Sequence, residues 1–71
     1  MNAPVMLITV NGEPREFVAG MTISGLLDTL ELDPRGLAVE RNLQLVPRGS
    51  HAATELVAGD RLEVVTLVGG G

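Results

Sequence analysis

A chain of 71 residues with nine acidic side chains, five arginines and a net charge of −4 has room for one domain with a modest core, burying roughly 60% of the surface its unfolded chain exposes. The negative balance argues against nucleic acid and anionic membrane as partners, because a phosphate-binding surface needs clustered cations. The lack of cysteine and lysine excludes disulfides, thiolate nucleophiles, soft metal sites and Schiff bases.

Residues 5–10, Val-Met-Leu-Ile-Thr-Val, read as a strand that runs into Asn11-Gly12, a pair suited to the two positive φ values of a type I′ turn. The return strand is expected over about 15–18. Pro14 stands at its start, and proline, having no N–H, puts that strand on an edge of the sheet. The period of two points Met6, Ile8 and Val10 inward and Leu7 and Thr9 outward. Thr22 is a good helix N-cap before Ile23, Leu26, Leu27 and Leu30, which lie at amphipathic spacing. A helix of two to three turns is therefore expected, carrying Gly25 at a cost of about 1 kcal/mol and ending at Asp33-Pro34 and Gly36.

Residues 37–40 read as a third strand, Asn42 as a turn, and 44–46 as a short fourth strand broken by Pro47-Arg48-Gly49-Ser50. One helical turn is expected over 52–56 and a tight turn at Gly59-Asp60. The longest late strand is expected over 61–68, with Leu62, Val64 and Thr66 inward and Glu63, Val65 and Leu67 outward. Phe17 is the one aromatic residue, so the core should be aliphatic. A hairpin, a helix, two short strands and a final strand make an α+β domain of β-grasp type, with a mixed sheet of four to five strands and the helix on one face. In that arrangement the first and last strands run parallel at the centre. The domain is expected over 1–68, followed by a flexible tail over 69–71.

That tail, Gly69-Gly70-Gly71, is the candidate functional site. A frayed end has the same composition, but these glycines directly follow an apolar strand, and no side chain elsewhere offers a carrier function. A carboxylate is a poor electrophile and needs activation, commonly as an acyl-adenylate made by another enzyme. Glycines can thread a narrow channel without side-chain collisions, and three extended residues reach about 10 Å; the cost is the entropy of ordering them on binding.

Val10-Asn11-Gly12-Glu13, Ala19-Gly20, Leu26-Leu27, Asn42, Val46-Pro47-Arg48, Gly59-Asp60-Arg61, Glu63-Val64-Val65 and the closing Gly70-Gly71 together resemble the ThiS family, ubiquitin-like sulfur carriers of thiamin biosynthesis. The resemblance covers essentially the whole chain and rests on the order of these pieces rather than on any one of them. It implies that a ThiF-like adenylyltransferase uses ATP and Mg²⁺ to adenylate the Gly71 carboxylate. Sulfur from a cysteine desulfurase pathway then displaces AMP to leave a thiocarboxylate, and thiazole synthase takes that sulfur. On this view Gly71 is the attachment point, Gly69 and Gly70 give access to partner active sites, and the chain is a carrier that is not itself an enzyme and holds no cofactor. The family's docking through the open sheet face implies Val65, Leu67, Leu7 and Glu63 as contact residues. Two alternatives stay open: a carrier of the molybdopterin synthase small-subunit type, which also ends in Gly-Gly, and a β-grasp binding module with an inert tail.

His51, the single histidine, has no nucleophile or orienting acid in the pattern and reads as a surface loop residue. Asp28, Glu31 and Asp33 read as a solvated acidic face rather than a cation site. No apolar run approaches the roughly 20 residues of a membrane span, and the N-terminus lacks the regions of a signal peptide. A soluble, cytoplasmic protein, monomeric when free, is expected.

Overall fold

In the computed structural model, which describes residues 4–67, the chain builds one five-stranded mixed sheet with a single α-helix on one face. Strand β1, Val5–Val10, buries Met6, Ile8 and Val10 and exposes Val5 and Leu7, the alternation its period of two predicts. Asn11 and Gly12 both take positive φ, 50° and 83°, and the chain returns as β2, Glu13–Val18, antiparallel to β1 with Met6 opposite Phe17. Pro14 lies within β2, which is an edge strand as its missing N–H requires.

Helix α1, Ile23–Thr29, is capped by the Thr22 hydroxyl, which accepts a hydrogen bond from the Gly25 N–H at 3.1 Å, and it buries Ile23, Leu26 and Leu27. The helix stops earlier than Asp33-Pro34. Glu31 turns left-handed at φ 57°, its N–H donates to the Asp28 carbonyl at 3.0 Å, and the Leu32 N–H donates to the Leu27 carbonyl at 2.9 Å. This is a Schellman closure, here with glutamate where glycine is usual. The closure returns Leu32 to the core margin, and that packing ends the helix before the proline is reached.

Strand β3, Leu37–Arg41, and strand β4, Gln44–Val46, form a second hairpin around Asn42 and Leu43, at φ 52° and 70°. After a 3-10 turn at Arg48–Ser50, the helical turn expected over 52–56 is absent. Glu55 instead bridges to Thr22, the Leu56 N–H donates to the Met21 carbonyl at 2.9 Å, and the Ile23 N–H donates to the Thr54 carbonyl at 3.0 Å. The local propensity of Ala52-Ala53 loses to these contacts with the start of α1, which seat Leu56 in the core at 2% exposure.

His51 is also not a surface residue. It is 2% exposed, its Nε2 lies 3.1 Å from the Val46 carbonyl, and its own carbonyl accepts from the Ser24 N–H. The ring thus ties the loop after β4 back to the last residue of that strand, while the backbone of His51 ties the same loop to α1.

Strand β5, Arg61–Thr66, is the longest of the late strands, six residues against five in β3 and three in β4, and ends before the expected residue 68. It lies between β1, parallel, and β3, antiparallel, in the order β2-β1-β5-β3-β4. Leu62 is buried, Val64 half-buried and Thr66 exposed. The core between sheet and helix is Met6, Ile8, Val10, Phe17, Ile23, Leu26, Leu27, Val39, Leu56 and Leu62, aliphatic except for Phe17. Among the described residues no helix is long and apolar enough to cross a membrane. Val68, Gly69, Gly70 and Gly71 lie outside the described residues.

Glu31 and the 88%-exposed Leu43 hold left-handed conformations that cost a side-chain-bearing residue about 1 kcal/mol. Glu31→Gly and Leu43→Gly are each expected to raise the unfolding free energy by about 0.5 kcal/mol, net of the greater entropy of an unfolded glycine. Urea titration measures this, and a loss of stability in both variants would contradict the turn assignments.

Candidate functional site

The chain leaves the sheet at the end of β5, so the groups that hold this strand define the site. Its start is fixed by Asp60, whose carboxylate is 4% exposed. Asp60 Oδ2 accepts from the Val57 N–H at 2.9 Å and from the Arg41 Nε at 2.9 Å, and Oδ1 accepts from the Asn42 side-chain amide at 3.1 Å. Burial pushes this carboxyl's pKa up, but the donors from Val57, Asn42 and Arg41 together outweigh that and hold it below its ordinary value of 3.8. Gly59, at φ 88°, supplies the turn that aims Asp60 inward.

Both hairpins reach across to β5 through an asparagine. The Arg61 N–H donates to Asn42 Oδ1 at 3.0 Å, and the Asn42 N–H donates to the Arg61 carbonyl at 2.8 Å. On the other side the Asn11 N–H donates to the Leu62 carbonyl at 2.9 Å. The Asn11 side chain then takes the next residue, Val64: its Oδ1 accepts from the Val64 N–H at 2.7 Å and its Nδ2 donates to the Val64 carbonyl at 3.2 Å. Past the strand's end, the Leu67 N–H still donates to the Gly36 carbonyl at 2.8 Å. The chain is therefore held on both sides up to Val64 and on the β3 side as far as Leu67, the last described residue. The sequence marks Asn11 and Asn42 as turn formers and as part of the family pattern; the signal that each also bonds β5 is that asparagine, not glycine, opens both turns.

Of the residues implied for docking, Val65 and Leu67 are half-exposed at the exit end of β5. Val65 faces Ala38 in register, and Glu63 faces Glu40, with Leu45 beyond it on β4. Leu7 is on the same face but apart from them. Its carbonyl accepts from the Gly59 N–H, and Gly59 to Val65 is roughly 20 Å of extended chain. Leu7 instead neighbours Val5 and Val18, which pair in register and are also half-exposed. The open face thus carries two apolar ends separated by Glu16, Arg61, Glu63 and Glu40.

Asp28, Glu31 and Asp33 are all exposed, the solvated acidic face expected, and Asp33 has one partner within it. The Arg35 guanidinium and backbone N–H bind Asp33 at 2.7 to 3.1 Å and lower its pKa to about 2. Among the described residues, no three histidine, aspartate or glutamate side chains are grouped to hold a metal.

The chain matches the ThiS family model over residues 8–71. It is 48% identical over 66 residues to a thiazole synthase of Paramagnetospirillum magneticum, covering 93% of this chain and 20% of that protein. It is 39% identical over 64 residues to the uncharacterized protein ycf40 of Pyropia yezoensis, covering 90% of each. The crystal structure of the thiamine biosynthesis protein ThiS from Geobacter metallireducens superposes with a TM-score of 0.82 at 30% identity, covering 93% of this chain and all of that one. The chain spans about a fifth of the length of the thiazole synthases it matches.

Asp60→Ala would leave the Val57 N–H, the Arg41 Nε and the Asn42 amide without their acceptor, and a loss of about 2–4 kcal/mol is expected. Because the folded carboxyl titrates below 3.8, its contribution is complete above that pH and is lost as pH falls through the folded value. Denaturation from pH 7 downward should therefore show the gap between wild type and variant closing in acid; a gap that widens would refute this role.

Proposed function

The chain belongs to the ThiS family, and from that premise we propose that it is a sulfur carrier of thiamin biosynthesis whose working group is the carboxylate of Gly71. The observation that carries this reading is the family match, which runs to Gly71 and so includes the glycines on which the chemistry rests. The carboxylate oxygen attacks the α-phosphorus of ATP held with Mg²⁺ by a ThiF-like adenylyltransferase, and pyrophosphate leaves. The terminal sulfur of a protein persulfide from a cysteine desulfurase pathway then attacks the activated carbonyl carbon, the C–O bond to AMP breaks, and a partner's thiol cleaves the S–S bond of the acyl disulfide so formed, becoming a disulfide itself. The resulting thiocarboxylate donates sulfur to thiazole synthase. Two proteins named thiazole synthase carry a segment 47–48% identical to this chain, which supports that enzyme as the acceptor. Dependence on ATP places the reaction in the cytoplasm.

The chain's own part is mechanical. Without a nucleophile and base of its own, it presents Gly71 while Gly69 and Gly70 occupy a channel too narrow for side chains. Val65, Leu67 and Glu63, beside the exit of β5, are the proposed docking residues for the adenylyltransferase, and Leu7 belongs to the far end of the same face.

Incubation with a ThiF-type enzyme, ATP and a sulfur source should release AMP and give an intact mass increased by the difference between sulfur and oxygen, located on the last fragment. Deleting Gly70 and Gly71 should abolish both signals with the circular dichroism spectrum unchanged. AMP release only with the adenylyltransferase of molybdopterin synthesis would reassign the pathway, and full function after the deletion would leave a binding module.

Replacing Val65 with Asp puts a charge on the proposed contact and should raise the KM for the carrier about tenfold. Leu7→Asp should change it far less. An equal effect of the two would move the docking site off the exit end of β5.

A further inference from the structure

The parallel ladder between β1 and β5 is short, pairing only Thr9 with Arg61 and Val10 with Leu62. At Asn11 the main chain turns away at φ 50° into the hairpin. The next inward-facing peptide groups on that side of β5, the N–H and C=O of Val64, would then have no strand to pair with. The Asn11 carboxamide supplies both partners, at 2.7 and 3.2 Å. It presents one acceptor and one donor in a plane, as a peptide group does, and so extends the ladder by one rung made of side chain.

We propose that Asn11 is a positioning residue for transfer at the carrier's tail: its grip on Val64 fixes the direction in which β5 delivers the glycines relative to the docking face. This rests on the carrier reading above. The turn alone does not demand asparagine, because glycine and aspartate also adopt the left-handed first position of a type I′ turn. Only asparagine offers both a donor and an acceptor. Val64 also lies between Glu63 and Val65 and three residues before Leu67, inside the stretch of proposed docking residues that leads to the tail. Because Asn11 holds the Val64 backbone whereas docking uses the exposed side chains beside it, docking and delivery are separable. Binding through the face around Val65 survives loss of the clamp, while the fraction of docked complexes with the carboxylate in place falls. Misplacing a reacting group by about 1 Å can cost up to a hundredfold in rate.

The test compares Asn11→Gly, which keeps the turn and deletes both bonds, with Thr22→Ala, which removes the cap of α1 and destabilises the fold without touching β5. In pyrophosphate-release kinetics with the adenylyltransferase and ATP, Asn11→Gly should lower kcat about tenfold, with KM within about twofold and faster amide exchange at Val64. Thr22→Ala should leave kcat unchanged. Should Asn11→Gly fail to fold, Asn11→Asp carries the same expectation, since it keeps the acceptor but sets a carboxylate oxygen against the Val64 carbonyl. Wild-type kcat in the Asn11 variant, a rise in KM alone, or a loss shared with Thr22→Ala would overturn the proposal while leaving the carrier intact. A wild type that is never adenylated would remove the carrier reading, and this proposal with it.

Discussion

The structure depends on the insertion of one strand, β5, between two hairpins formed earlier in the chain. It must pair parallel with β1 and antiparallel with β3 at once, so its register is fixed from both sides. A slip by one residue would turn Leu62 out of the core and Glu63 into it. The parallel side gives little main-chain pairing, and side chains complete it. Asn42 and Asp60 secure the entry of the strand, and Asn11 secures the stretch before its exit. Each hairpin therefore serves twice, as sheet and as clamp.

Asp60 shows how a buried charge can be tolerated in so small a core. Its burial would favour the neutral form, but one backbone donor, one amide and one guanidinium satisfy it, and the carboxylate remains the stable state. Arg41, partly exposed, lets the pair keep contact with water. The linked groups come from the β3–β4 hairpin and from the turn before β5, so formation of the hairpin and seating of β5 become one cooperative event. Contacts of this kind, distant in sequence, are slow to form and strongly specifying once made.

Fixing β5 has a direct functional meaning in a ThiS-family chain. If the chain acts as the proposed carrier, its contribution is where it puts its reactive group, and the last anchored residues decide that placement. The grip continues to Leu67 through the Gly36 carbonyl, and the exposed Val65 and Leu67 lie along the same stretch. In the proposed reading, a docking surface beside the exit would shorten the path between what a partner holds and what it modifies. The apolar end at Val5, Leu7 and Val18 lies on the same face, away from the exit.

Features governed by local chemistry were legible in the sequence. The strand period of β1, the Asn11-Gly12 turn, the Thr22 cap and the edge placement of Pro14 follow from propensities and hydrogen-bonding capacity within a few residues. The order of elements was sufficient for the β-grasp arrangement and, with the quoted motifs, for the family. What only the tertiary structure decided depends on partners far along the chain. His51 is buried because the Val46 carbonyl and α1 close over it, and the segment 52–56 abandons a helical turn for contacts with Met21, Thr22 and Ile23. Glu31 accepts a left-handed conformation because Leu32 gains a place at the core. The carboxamide of Asn11 meets Val64, 53 residues away. Local pattern constrains each element's own backbone and inward face, but a hydrogen bond across such a separation exists only after the whole chain has closed, and no pattern within one element contains it.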